Sequence, residues 1–128
     1  MNAILTKEEK TFYNQQCRLT KEICKMHLLY LDNIKKQISC LKFKERFEKT
    51  NPEFAAKRQL LEEKLQQNDS LIQIVLSNMS PKNAWIIEKT YLSNNYNSEW
   101  YLDYFSKTTF YKRKREAIKE FVDLYFSN

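Results

Sequence analysis

Glycine is absent from this chain of 128 residues, and proline occurs only at Pro52 and Pro81. Tight turns and β-hairpins depend on these residue types, so the composition disfavours an all-β fold. The absence of glycine also excludes a glycine-rich phosphate-binding loop. Long helices joined by a few polar turns are the architecture that this composition favours.

Histidine occurs once, at His27, which leaves few arrangements for nucleophilic catalysis. The adjacent glutamates Glu62 and Glu63 would diverge by about 100° on a helix rather than converge on one substrate. Glu8 and Glu9 have the same relation. We therefore predict that the protein is not an enzyme and needs no cofactor.

The three cysteines are an odd number in a sequence that is typical of helices. This favours reduced thiols in a cytoplasmic protein over disulfide bonds. Cys24 and His27 would share a helix face, with Cys17 one heptad earlier. Zinc ligands usually come in pairs around a turn, with a second pair elsewhere, so ordinary packing is the preferred interpretation and no metal is predicted.

No apolar run approaches the length that a membrane-spanning helix needs, so we expect no membrane partner. The first ten residues also lack the apolar segment of a secretory signal. These observations agree with a cytoplasmic location.

A long helical pattern begins near the N-terminus. Thr6 and Glu9 have the spacing of a capping box, so a helix is expected to start at Lys7. Thr20 either caps a second helix or lies within one continuous helix. The pattern ends near Phe47, after apolar residues at helical spacing at positions Ile23, Met26 or His27, Tyr30, Ile34, Ile38 and Leu41.

A second long segment restarts at Asn51-Pro52, which is the pattern of an N-cap followed by proline at the first helical position. Its heptad seam comprises Phe54, Arg58, Leu61, Leu65, Asn68, Ile72, Val75 and Met79. A buried Asn68 would fix the register, although residues 68–70 could also break the helix. Residues 1–79 are therefore predicted to form an antiparallel helical hairpin.

The sequence pattern of residues 80–128 predicts a three-helix unit. Ser80-Pro81 repeats the restart pattern, and a helix is expected as far as Leu92. Ser98 can cap a very short helix, and Ser106 can cap the last helix. Aromatic residues concentrate in this part of the chain and are interpreted as its core, chiefly Trp85, Trp100, Phe105, Phe110 and Phe121.

The last helix carries much of the net charge of +6. Between residues 107 and 119 the only acid is Glu116, whereas the basic residues are Lys107, Lys112, Arg113, Lys114, Arg115 and Lys119. Apolar residues Phe110, Ala117, Ile118 and Phe121 recur on the opposite side. This pattern is typical of a helix with one side in a core and a basic side that is free to bind a partner.

Three segments of the C-terminal third carry a resemblance to a known class of proteins. They are Trp85–Leu92 (WIIEKTYL), Glu99-Trp100, and Ser106–Ile118 (SKTTFYKRKREAI). In this order they resemble the sigma-region-4-like helix-turn-helix of phage-type transcriptional regulators, the autolysin-regulator and RinA-like families. The turn at residues 102–105 departs from that pattern because it has no glycine. An alternative is a small family of helical bacterial proteins without an assigned function.

The resemblance implies a DNA-binding transcriptional regulator with duplex DNA as its partner. It implies that Thr108, Thr109, Lys112 and Arg113 face the DNA. The residues that would mostly neutralise phosphates are Lys107, Lys114, Arg115 and Lys119. The hairpin would then serve a homodimer or a protein partner. The alternative function is a non-catalytic helical bundle that binds another protein and no nucleic acid, in which the basic helix is a solvated surface.

Overall fold

The structure is a computed structural model that describes residues 5–67, 70–93 and 97–127. Within these ranges the protein is all-α, as predicted, and contains no strand. The elements are α1 (Lys7–Phe47), α2 (Pro52–Gln66), α3 (Leu71–Asn78), α4 (Pro81–Ile87) with a π-helical continuation (Glu88–Leu92), a 3₁₀ helix (Trp100–Asp103) and α5 (Lys107–Tyr125).

The helix starts are set by the side chains that the sequence indicated. Thr6 Oγ1 accepts a hydrogen bond from the Glu9 amide at 3.1 Å, and Asn51 Oδ1 accepts one from the Glu53 amide at 3.0 Å. Each bond satisfies an amide that the first helical turn leaves without a partner. Thr20 does not begin a second helix, because α1 continues unbroken through it and its side chain is fully buried.

The less exposed side of α1 follows one uninterrupted heptad pattern, with steps of four and three residues. It comprises Tyr13, Cys17, Thr20, Cys24, His27, Leu31, Ile34, Ile38, Leu41 and Glu45. Of the alternatives Met26 and His27, the seam residue is therefore His27, and the choice of Tyr30 is wrong, since Met26 and Tyr30 are largely exposed. Polar and small residues occupy several true seam positions, so apolar spacing alone pointed to neighbouring residues.

The chain folds into two compact units. The core unit contains residues 1–25 and 71–128, and the hairpin unit contains residues 26–70. These limits differ from the division into 1–79 and 80–128 made from the sequence. The difference arises because side chains from the first half of α1 and from α3 pack in the same apolar cluster as α4 and α5.

Two antiparallel helices, the second half of α1 and all of α2, form the hairpin unit. Arg58 contacts Glu45 at 2.7 Å, and Lys42 lies 3.9 Å from Glu62. Lys42 lies farther from the turn between the helices than Glu45 does, and its partner Glu62 lies farther from that turn than Arg58. Antiparallel packing requires this order. Ile34 and Ile38 are buried, whereas α2 has no fully buried residue and its predicted seam positions are half-buried.

The second long segment is divided rather than continuous, since α2 ends at Gln66 and α3 begins at Leu71. Ile72, Val75 and Met79 are buried as the heptad indicated, but they belong to the core unit. The expected role of Asn68 in fixing the register concerns a position outside the described residues.

Aromatic side chains fill much of the core unit. Phe110 stacks on Tyr101 at 3.9 Å between ring centroids and meets the Trp100 ring edge-on at 5.5 Å. Trp85 in turn contacts Trp100 at 5.2 Å. Trp100, Phe110 and Phe121 are buried, while Trp85 and Phe105 pack against the cluster with partial exposure. The prediction that these aromatic residues form the core is thus confirmed.

The cap of α5 provides a first test of this fold. Ser106 Oγ accepts a hydrogen bond from the Thr109 amide at 3.2 Å. Ser106→Ala is expected to lower the free energy of unfolding by about 1 kcal/mol, measured by urea denaturation, because the amide loses its acceptor. Ser98→Ala is the matched control: the expected cap by Ser98 is not found, since the 3₁₀ helix has no side-chain cap and the neighbouring Glu99 amide donates to Asn97 Oδ1. Equal losses for both variants would contradict the assigned cap.

Candidate nucleic-acid interface

Helix α5 is held in the core unit by one side and by a contact in its C-terminal half. Phe110, Ala117, Ile118 and Phe121 are all buried, as expected from their spacing. In addition, Glu120 Oε1 accepts a hydrogen bond from the Ser80 amide at 2.7 Å, which joins α5 to the start of α4. A carboxylate is favourable there because the first turn of a helix carries partial positive charge. These contacts fix the orientation of α5, and hence of its basic side chains.

Five of the predicted contact residues are exposed in the first two turns of α5. They are Lys107, Thr108, Thr109, Lys112 and Arg113. The Arg113 side chain is 47% exposed and lies 3.8 Å from Glu116, a distance and exposure at which an ion pair is weak. Lys112 forms no ion pair within the described residues. The guanidinium and the ammonium are therefore available to an anionic partner.

Thr109 has a structural role as well as an exposed position. Its hydroxyl lies 2.9 Å from Ser106 Oγ, which also receives the Thr109 amide. This side chain therefore helps to complete the cap of α5. Thr108 lies one residue earlier and makes no such contact, so its hydroxyl is the freer of the two.

Arg115 does not lie with the exposed residues. Its side chain is half-buried, its guanidinium stands 6.0 Å from the centre of the Tyr13 ring on α1, and its Nε atom is buried without a hydrogen-bond partner. Arg115 follows Lys112 by three residues and lines the same groove, but its side chain packs on α1 instead of remaining exposed. We therefore interpret Arg115 mainly as a packing residue that joins α5 to α1, and this differs from its predicted role.

Two tyrosines that contact basic side chains of α5, Tyr13 and Tyr91, were not recognised from the sequence. Lys114 Nζ lies 5.8 Å from the centre of the Tyr91 ring, in the same way that Arg115 meets Tyr13. Burial, followed by the neighbouring Cys17 thiol, raises the pKa of Tyr13 above its usual range. Burial likewise raises the pKa of Tyr91. The heptad position of Tyr13 was the signal that could have indicated this contact.

The second half of the exposed side of α5 is electrostatically mixed. Lys119 pairs with Asp123 at 3.4 Å, and both side chains are largely exposed. Lys119 and Lys112 also line a groove of about 460 Å³ between α5 and the first turns of α1, where Glu9 and the exposed Phe12 contribute. Unpaired positive charge is therefore concentrated at the N-terminal end of α5.

The cysteines offer little to a metal ion. All three are free thiols, and Cys24 is fully buried in the apolar cluster, where burial raises its pKa to about 12. A thiol must lose its proton to bind a metal, so this environment disfavours coordination. Across the described parts of the chain, no group of three or more Cys, His, Asp or Glu side chains could hold a metal ion.

Comparison of the chain with protein-family models, with curated proteins and with solved structures gives no match. Among the residues that the structure describes, no helix combines the length and apolar character needed to cross a membrane. Function must therefore be inferred from the geometry of α5 and from the sequence resemblance.

Proposed function

We propose that this protein binds duplex DNA through the N-terminal turns of α5, as a regulatory protein with a helix-turn-helix-like unit. The observation that carries the proposal is the joint exposure of Thr108, Lys112 and Arg113 on a helix whose other side is anchored in the core. The resemblance of residues 85–118 to phage-type transcriptional regulators supports the same interpretation.

The chemistry of these side chains suits a DNA groove. An arginine can donate two parallel hydrogen bonds to guanine, and Arg113 is assigned this base-reading role. Lys107 and Lys112 are assigned to phosphates, which the positive end of the helix dipole also attracts. Lys119 and Arg115 receive smaller roles, because one is paired with Asp123 and the other packs on Tyr13.

The acidic residues of the hairpin bear on the competing interpretation, in which the basic helix is only a solvated surface. Neutralisation of α5 by Glu45, Glu62 or Asp69 would favour that interpretation. Glu45 and Glu62 instead pair with Arg58 and Lys42 within the hairpin unit. Asp69 lies outside the described residues. This distribution of ion pairs supports a free basic surface on α5.

DNA binding can be tested by fluorescence anisotropy with a labelled duplex over a range of salt concentrations. We expect Lys112→Ala to reduce the slope of log affinity against log salt by about one unit, since one phosphate contact is lost. Arg113→Ala is expected to weaken binding to a preferred site by about 1–3 kcal/mol. Circular dichroism should show unchanged helix content, because both side chains are exposed.

Lys35→Ala is the matched control for this experiment. Lys35 is an exposed lysine on α1 in the hairpin unit, and its loss removes the same charge without touching α5. Its effect on affinity should stay well below that of Lys112→Ala. Equal effects of the two lysine variants, or no duplex binding at low salt, would contradict the proposal.

A further inference from the structure

The two edges of the hairpin unit differ in charge. At one edge, Arg58 lies between Glu45 and Glu62, and Lys42 approaches Glu62 as well. The Arg58 side chain is only 22% exposed, and its hydrogen bond lowers the pKa of the Glu45 carboxyl. Positive and negative charges are thus matched on this side, which leaves little for a charged partner to bind.

The other edge is an open groove of about 580 Å³ between α1 and α2, with a rim of four lysines and, among the residues that the structure describes, no acidic one in its lining. The lysines are Lys36 and Lys44 on α1 and Lys57 and Lys64 on α2. Lys36 pairs with Asp32 outside the groove, and Lys44 lies over the Phe54 ring. Lys57 and Lys64 form no ion pair within the described chain.

The groove has an apolar floor. Leu41 and Leu61 lie half-buried within it, and Leu60 remains 60% exposed beside Cys40. The same stripe of α1 carries further exposed apolar side chains beyond both ends of the groove, namely Met26, Leu29 and Phe47, and is polar in between at Asn33, Lys36 and Gln37. From Met26 to Phe47 the stripe is about 30 Å long, at a helical rise of 1.5 Å per residue. Exposed apolar side chains grouped along a groove usually mark an interaction site.

We propose that this groove binds an acidic amphipathic helix of a partner protein. Its apolar side would lie on Leu41, Leu60 and Leu61, and its flanking carboxylates would meet the lysines of the rim. Helix-in-groove recognition needs an apolar floor of this shape, and charge complementarity selects the partner and its orientation. The length of the stripe accommodates a helix of about 20 residues. The proposal is independent of DNA binding by α5.

The same features argue against other occupants. A second copy of the chain placed edge to edge would bring two lysine rims together, and like charges in contact are unfavourable. Duplex DNA would satisfy the lysines, but its phosphate backbone gains nothing from an apolar floor. A helix that is acidic on its flanks and apolar on one side matches both properties of the groove.

The test uses the full-length chain and a fluorescent synthetic peptide of about 20 residues, with leucines on one side of a helix and glutamates flanking them. We expect the peptide to bind in an anisotropy titration. Lys57→Glu combined with Lys64→Glu should weaken binding by at least about tenfold, because attraction becomes repulsion. Lys35→Glu, an exposed charge reversal outside the groove, should change affinity by less than about twofold.

Further variants keep the test decisive if charge reversal disturbs folding. Lys57→Gln with Lys64→Gln and the exposed-site change Leu60→Ser should each weaken binding while circular dichroism stays unchanged.

Equal binding by a peptide whose leucines are replaced with serines would overturn the proposal, as would no binding at all. Displacement of the peptide by duplex DNA, or a stable dimer that Leu60→Ser dissociates, would also overturn it. Lys112→Ala should leave peptide binding intact, which separates this site from α5.

Discussion

Phe121→Ala is expected to lower the free energy of unfolding by about 3–5 kcal/mol, the range for a large aromatic side chain removed from a core. Phe121 has no exposed surface and is one of the largest fully buried side chains of the protein. Its neighbours on the buried side of α5, Ala117 and Ile118, are fixed by packing and cannot collapse fully into the space left behind. The measurement is urea denaturation followed by circular dichroism.

Phe126→Ala supplies the matched control, because Phe126 is the same residue type at the end of α5 and is 53% exposed. Its replacement should change stability by no more than about 0.5 kcal/mol. Leu61→Ala should lie between the two, since no residue of α2 is fully buried. A smaller loss for Phe121→Ala than for Leu61→Ala would contradict the placement of the main core in the core unit.

Where helices begin could be predicted from the sequence because the signals are local. Asn51-Pro52, Ser80-Pro81 and Ser106 each combine a capping side chain with a helical pattern, and each begins a helix in the structure. The register of α1 could not be predicted in this way. Its seam includes Thr20 and His27, and nothing in their own chemistry distinguishes a packed position from a solvated one.

The division into two units also has no local signal. The first half of α1 packs with α3, α4 and α5, whereas the second half packs with α2, and no residue type marks the change near Lys25. Contacts between segments far apart in sequence decide this arrangement. A heptad pattern shows only that a helix has a packed side and does not identify which segment covers it.

The candidate DNA-binding surface was partly predictable, because part of it follows from the local geometry of one helix. The apolar spacing of Phe110, Ala117 and Phe121 fixes one side of α5, and Lys112 and Arg113 then lie away from it by helical geometry. Arg115 lies on the same side of α5 as Lys112, but its environment depends on Tyr13, about a hundred residues earlier in the chain. The lysine-rimmed groove was likewise missed, because it requires knowledge of how α1 and α2 face each other.

The thiol of Cys24 should make the protein less stable in alkali. Burial raises its pKa to about 12 in the folded chain, against about 8.5 for an exposed cysteine. Because the folded state resists loss of this proton, the stabilising effect is complete below pH 8.5 and is lost as pH rises towards 12. Between these limits one such group lowers the free energy of unfolding by about 1.4 kcal/mol per pH unit.

Denaturation of the parent protein and of Cys24→Ala at pH 7 and pH 10 tests this directly. The parent is expected to lose about 2 kcal/mol more than the variant over this interval. The readout is the change with pH, so any cavity left by the substitution affects both conditions equally.

Cys40→Ala is the control, because Cys40 is an exposed thiol and its removal should leave the pH dependence unchanged. Tyr13 and Tyr91, whose pKa values are also raised, contribute mainly above pH 10 because an exposed tyrosine ionises near that value. An identical pH dependence in the parent and Cys24→Ala would mean that the thiol ionises freely in the folded protein, contrary to its position in the core.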